Sequence, residues 1–295
     1  MATADFGLML QPTPKDFPGR ELFERNRQLI RALPEGFTTL WAEDHLEWGE
    51  EATLECLTTM AYFAAEFPLY HVGSLVMSQA YRNPALLAKM MANLQLLSGG
   101  RFILGLGAGW KEEEYHAYGY PFPGARTRIE QLAEAAAIIK TMWTKQPATF
   151  IGEHYRIHNA YCEPQPDPPV PLLIGGGGEQ RTLAIVARYA DWYNFNSVPV
   201  EQYAHKVAVL KEHCVKIGRD PNTIRLTYLS TLSLSEDPSK VMRSPDKHFV
   251  AGNSAEVIRE LEQFCAVGVS HFIFRVPDVE TLALFGESVV PHFRG

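Results

Sequence analysis

Apolar positions along this chain follow two alternating rhythms. Short apolar or β-branched runs at 6–10, 38–41, 71–77, 102–106, 172–174, 192–195, 225–232 and 272–274 read as buried strands. Between them the apolar residues recur every three or four positions. "GRELFERNRQLIRAL", "NPALLAKMMANLQLLSGG", "RIEQLAEAAAIIKTMW" and "SAEVIRELEQFCAVG" each carry one apolar helical face. In "NPALLAK" the spacing predicts Asn83 as the N-cap and Pro84 as the first helical residue, and two of these helical segments close on glycine.

Strands alternating with helices predict a parallel sheet, and eight such units close most simply as an α/β (β/α)8 barrel. An open doubly wound sheet is the competing arrangement. It calls for a glycine-rich phosphate loop after the first strand, and "FGLMLQPTPKDF" has none. "WTKQPATFIGEHYRIHNAYCEPQPDPPV" is too long for a plain connection. It reads as an insertion between strands four and five, with a small hairpin turning at Gly152 and Glu153. No linker-like break or repeat divides the chain, so the expectation is one domain over residues 1–295.

Composition narrows the partners. The 295 residues are 46% hydrophobic, enough for one large core, and the net charge is −7 without any basic stripe. Nucleic acid and anionic membranes are therefore poor candidates. Cys56, Cys162, Cys214 and Cys265 stand apart without a CxxC pair, which suits thiols of a cytoplasmic protein better than a disulfide frame or metal site. The first residues lack the basic and apolar regions of a signal peptide. The longest uncharged run, 67–81, falls short of the roughly 20 apolar residues of a membrane span.

In a βα barrel the chemistry gathers at the C-terminal strand ends. Gln11 follows strand one. "AEDHLEW", with Asp44, His45 and Trp48, follows strand two. An imidazole beside a carboxylate can hold or move a proton near neutral pH, while the same dipeptide can also be a capped surface loop. "GGGGEQR" after strand five leads into a helix, an arrangement whose amides suit a phosphate, with Arg181 as an added charge. "GLGAGWKEEEY" after strand four is neither a Walker loop nor a dinucleotide fingerprint. Its glycines imply a tight backbone turn or the close approach of a flat ligand. No strand ends in lysine, and HxH, HExxH and GxSxG are absent, so the sequence supplies no signal for Schiff-base, metal-hydrolase or esterase chemistry.

"FTTLWAEDHL", "VGSLVMSQAYRNPALLAKMMANLQLLSGGRFILGLGAGW" and "PLLIGGGGEQRTLAIVARYADWYNF" together resemble the bacterial luciferase-like superfamily of flavin and coenzyme F420 oxidoreductases. The resemblance implies a barrel holding a flavin-type ring at its mouth. It implies that His45 handles a proton or flanks the hydride path beside Asp44. It implies a bulge in strand three with a cis peptide between Ser74 and Leu75, and Met77 at the ring edge. Gly107, Ala108, Gly109 and Trp110 would border the cofactor, with Glu113 toward its tail. Gly176, Gly177, Gly178, Glu179 and Gln180 would hold its phosphate, and Gln11, Trp48 and Trp110 would line the substrate pocket. The family's sugar-phosphate dehydrogenases carry a glutamate base where this chain has Trp110. That departure points away from glucose 6-phosphate and toward a less charged substrate.

The resulting expectation is an oxidoreductase moving a hydride between coenzyme F420 and an organic substrate. An FMN-dependent monooxygenase using reduced FMN and oxygen, fed by a separate flavin or F420 reductase, is the alternative. A non-catalytic flavin-binding relative is a third. Family resemblance also implies a homodimer through helices near strands two to four, "ATLECLTTMAYFAAEF" being one candidate, although a core-facing helix fits the same pattern.

Overall fold

The computed structural model describes residues 3–10 and 19–294. In chain order the strands are β1 (Asp5–Met9), β2 (Phe37–Ala42), β3 (His71–Ser74), β4 (Met77–Ser78) and β5 (Phe102–Gly107). A hairpin of β6 (Ala148–Ile151) and β7 (Arg156–Ala160) follows, then β8 (Leu172–Gly175), β9 (Trp192–Asn196), β10 (Arg225–Leu234), β11 (Val250–Gly252) and β12 (Val269–Arg275). β1 pairs in parallel with β2 on one side and β12 on the other, while β10 links β9 to β12. The path β1-β2-β3-β5-β8-β9-β10-β12 therefore closes on itself as an eight-stranded parallel barrel. β4 continues the third strand along β5, and β11 adds to the edge of β10.

Helices α1 (Gly19–Arg31), α2 (Cys56–Glu66), α3 (Pro84–Leu97), α4 (Glu112–Ala117) and α5 (Ala125–Thr144) lie in the first half. α6 (Thr182–Tyr189), α7 (Val200–Lys216), α8 (Ser254–Val267), α9 (Val279–Ser288) and α10 (Val290–Phe293) complete the set. Asn83 caps α3 by accepting from the Ala85 and Leu86 amides, with Pro84 at the first helical position. α8 opens with a reciprocal capping box between Asn253 and Glu256 and ends at Gly268, whose φ of 111° suits glycine. Among the described residues no helix is long and apolar enough to cross a membrane.

Alternation along each strand splits the core in two. Outward residues such as Phe6, Leu8, Phe102, Leu104 and Phe272 pack under the helices. Inward residues Met9, Trp41, Leu75, Ile103, Leu173, Leu229 and Ile273 fill the barrel. Two bulky inward side chains need bare neighbours. A Cβ on Gly7 or Gly73 would lie 2.6 or 2.3 Å from Trp41 atoms. A Cβ on Gly105, Gly107 or Gly175 would lie 3.2, 2.5 or 3.0 Å from Val76. The strand-four glycines of the sequence thus make a socket for the bulge of the neighbouring strand.

That bulge corrects one expectation. The run 71–77 is two strands, not one, and the cis peptide joins Leu75 to Val76 rather than Ser74 to Leu75. Ser74 is fully buried, with its hydroxyl donating to the Gly105 carbonyl and accepting from the Gly105 amide, both at 2.9 Å. The following turn faces the cavity with Leu75 and Val76, and Met77 packs outward into the helical core.

Candidate active site

A cavity of about 730 Å³ opens at the C-terminal mouth of the barrel. The strand-two end supplies Glu43, Asp44, His45 and Trp48, and the bulge supplies Leu75, Val76 and Ser78. Gly107, Ala108, Gly109 and Trp110 enter from β5, and Gly175, Gly176 and Gly178 from β8. A second hollow of about 770 Å³ sits at the opposite mouth, where Lys140 pairs with Asp191 and Arg225 lies 4.5 Å over Trp192. We assign the chemistry to the first cavity, because the strand ends that carry proton-handling groups converge there.

Asp44 does not orient its neighbour. Its buried carboxylate binds both Arg82 terminal nitrogens at 2.8 and 3.0 Å and the Ser78 amide at 3.0 Å. Burial pushes the Asp44 carboxyl up, with Arg82 and the Ser78 amide pulling the other way. Arg82 also reaches Glu55, the residue that caps α2 through the Leu57 and Thr58 amides. The pair therefore ties the end of β2 to β4 and to the start of α2.

His45 turns instead to Glu114, with Nδ1 at 3.1 and 3.3 Å from the two carboxylate oxygens. The Leu46 amide donates to the same carboxylate at 2.9 Å. Burial alone would raise the Glu114 carboxyl, but the hydrogen bonds from His45 and the Leu46 amide, with the Tyr81 hydroxyl beside it, hold it below the usual carboxylate range. The buried Tyr81 phenol lies beside this carboxylate without a well-aligned partner, and burial first and Glu114 second push it far up. The His45 ring stands 4.6 Å from Trp48 and 5.5 Å from Trp110, and the two indoles are 6.1 Å apart. Trp110 is 66% exposed and forms the outer edge of this wall. The Lys111 ammonium donates to the Glu47 carbonyl and lies 4.4 Å over the Trp48 ring.

Several expected residues stand elsewhere. Glu113 is exposed, and Glu114 takes the inward position because α4 turns that face to the barrel. Glu179 pairs with Lys206 at 2.6 Å and His205 at 3.0 Å, away from the cavity, and Gln180 is exposed. A Cβ on Gly177 would strike Phe195, so this glycine serves packing rather than lining, unlike Gly176 and Gly178. Arg181 binds Glu130 at 3.0 Å and does not line the cavity, whereas Arg128 does. Gln11 lies outside the described residues. Gly109 keeps its place through a φ of 74° and contact with the Tyr115 hydroxyl.

Glu114, Tyr81, Arg128, Asn194, Asn196, Lys247 and Arg275 face the cavity and escaped the sequence reading. Only Glu114 left a signal, since Lys111, Glu114, Tyr115 and Tyr118 recur at helical spacing. Three donors on the cavity wall are buried without a hydrogen-bond partner: Trp48 Nε1, the Tyr81 hydroxyl and Arg128 Nε. Buried donors are nearly always paired, so a cluster of orphans in one cavity fits a polar, partly anionic ligand.

A family model described as luciferase-like monooxygenase matches residues 4–270. Similar curated proteins include an F420-dependent glucose-6-phosphate dehydrogenase of Kineococcus radiotolerans, 26% identical over 90% of this chain and 91% of that protein. The pyrimidine monooxygenase RutA of Variovorax paradoxus is 29% identical over 77% of this chain and 59% of its own length. Among solved structures, an F420-dependent secondary alcohol dehydrogenase in complex with an F420-acetone adduct superposes with a TM-score of 0.85 at 20% identity, covering 99% of this chain and all of that one. The coenzyme F420 dependent tetrahydromethanopterin reductase of Methanopyrus kandleri gives 0.81 at 18% identity, covering 99% of this chain and 100% of that one. Likeness at these identities shows the shared fold.

Proposed function

This chain belongs to the luciferase-like monooxygenase family, and from that premise we propose that it transfers a hydride between coenzyme F420 and a small organic substrate. The observation that carries the reading is the C-terminal cavity itself. It joins the His45–Trp48–Trp110 wall, the 75–76 bulge, the glycine-lined ends of β5 and β8 and three orphaned donors. When bound, the deazaflavin ring supplies a carbon that gives or accepts a hydride.

The chain's own residues have simpler tasks. Leu75 and Val76 offer an apolar floor for a flat ring, and Gly107, Ala108 and Gly109 border it. Gly176, Gly178 and Arg128 are placed to hold an anionic tail. His45 holds or moves a proton, while the two indoles exclude water beside it. With Trp110 at this wall we expect glucose 6-phosphate to be a poor substrate and an uncharged carbonyl or alcohol a better one.

Titrating the purified protein with coenzyme F420 and with FMN, followed by fluorescence, tests the cofactor. Tight binding of F420 is expected; tight FMN binding without F420 binding sinks the reading. An FMN-dependent monooxygenase is the second reading, favoured by the likeness to the pyrimidine monooxygenases. Substrate-dependent oxygen uptake with reduced FMN would establish it, and a separate reductase would then be its partner. We further propose a homodimer, supported by exposed Tyr62 on α2 and by Leu86, Leu96 and Leu97 on α3. The four unpaired thiols suit a cytoplasmic setting.

A further inference from the structure

α4 is a short helix, yet it grips the strand-two loop at three points. The Lys111 ammonium just before it reaches the Glu47 carbonyl, the Tyr118 hydroxyl just after it donates to the Leu46 carbonyl at 3.2 Å, and Glu114 takes both His45 and the Leu46 amide. Glu114 is only 2% exposed. An ionised carboxylate can only accept hydrogen bonds. At 3.1 Å from it, His45 Nδ1 must therefore carry hydrogen, so that whenever the ring is neutral its lone pair is on Nε2. The carboxylate cannot swing away without leaving the Leu46 amide unpaired. Asp44, the sequence neighbour, has its oxygens committed to Arg82 and the Ser78 amide.

We propose that Glu114 is the positioning residue of the site, fixing His45 as the Nδ1–H tautomer so that Nε2 is the ring's open proton-accepting nitrogen. The inference rests on the reading of His45 as the proton-handling residue, and it deepens that reading by naming the atom. A ring in the opposite tautomer would present N–H where a lone pair is needed. Loss of an orienting carboxylate in a hydrolase triad costs about 10⁴-fold in kcat for this reason.

The test uses the full chain labelled with ¹⁵N-histidine, without cofactor, in long-range ¹H–¹⁵N spectra at mildly alkaline pH. The His45 signals are those lost in His45→Ala. The wild-type ring is expected as Nδ1–H. In Glu114→Gln one acceptor oxygen must serve both Leu46 and His45, and the new amide can donate to Nδ1. We expect the tautomer ratio to move at least about tenfold toward Nε2–H. Glu114→Asp, which keeps the charge, should recover part of the Nδ1–H form. A wild-type ring found as Nε2–H overturns the proposal without any variant, and so does an unchanged ratio in folded Glu114→Gln. Failure of the functional reading looks different: His45→Ala would turn over F420 normally while the wild-type spectrum still showed Nδ1–H.

Discussion

Arg181 and Arg128 differ in where they point, and of the two only Arg128 lines the cavity. Arg181, next to the glycine run in sequence, is exposed and spent on Glu130. Arg128 comes from the distant α5, rests 3.9 Å over the Phe122 ring, and faces the cavity with Nε unpaired. We expect Arg128→Gln to weaken binding of the anionic cofactor about tenfold or more, roughly 1.4 kcal/mol, and Arg181→Gln to change it less than about twofold. Fluorescence titration of both variants decides, and the reverse ranking would return the role to Arg181. Asp44→Asn acts on stability instead, because it strips one partner from a buried ion pair. A loss of about 3–5 kcal/mol is expected in urea unfolding, and a fully stable variant would contradict the anchoring role. At this scale the sequence put His45, Trp48 and Gly176 at strand ends, and all three line the cavity. It offered Arg181 as the added charge, and Arg128 left no signal because adjacency in the chain says nothing of what α5 brings to the cavity.

The inserted hairpin shows how an element can be held by a single side chain. The Glu134 carboxylate of α5 accepts from the amides of Glu153, His154 and Tyr155 at 2.7, 3.0 and 2.8 Å, and a Cβ on Gly152 would collide with it. The Tyr155 hydroxyl donates to Gln79, which in turn donates to Gln131 of α5. Glu134→Ala should leave three turn amides without their acceptor. We expect hydrogen exchange at 153–155 to accelerate at least about tenfold while the barrel strands stay protected; unchanged exchange there would show that the turn does not depend on this carboxylate. The hairpin and its turn were readable from alternation around Gly152. β11 was not, since three residues carry no period. The bulge was misplaced by one residue for a related reason: alternation reports which face a side chain takes and is silent on where a ladder breaks.

Closure of the whole barrel runs through a buried polar chain at its N-terminal mouth. Trp41 Nε1 donates to Thr39 Oγ1, whose hydroxyl lies 2.9 Å from His271 Nε2, and His271 Nδ1 lies 2.7 Å from Asp5. Burial keeps the His271 pKa below the ordinary imidazole value. The unfolded chain thus binds that proton more readily than the folded one. The contribution of His271 is complete above about pH 6.5 and is lost as pH falls below it. Burial would raise the Asp5 carboxyl, yet the hydrogen bond and charge of His271, with Arg225, hold it well below the carboxylate range, so its share fades only in stronger acid. We expect the stability difference between wild type and His271→Gln to shrink between about pH 7 and pH 5, measured by urea unfolding; a difference independent of pH would remove His271 from the acid response. The alternating pattern foretold the ring of strands, but no local motif announced this plug, which exists only once the first and last strands meet. The Val76 socket carries a consequence of the same kind for anyone redesigning the mouth. Because its walls come from β5 and β8 while its occupant comes from the strand beside them, substitutions there are epistatic: alanine at Gly107 is tolerable only alongside a smaller residue at 76, and the tailoring of this rim must proceed by paired exchanges rather than single steps.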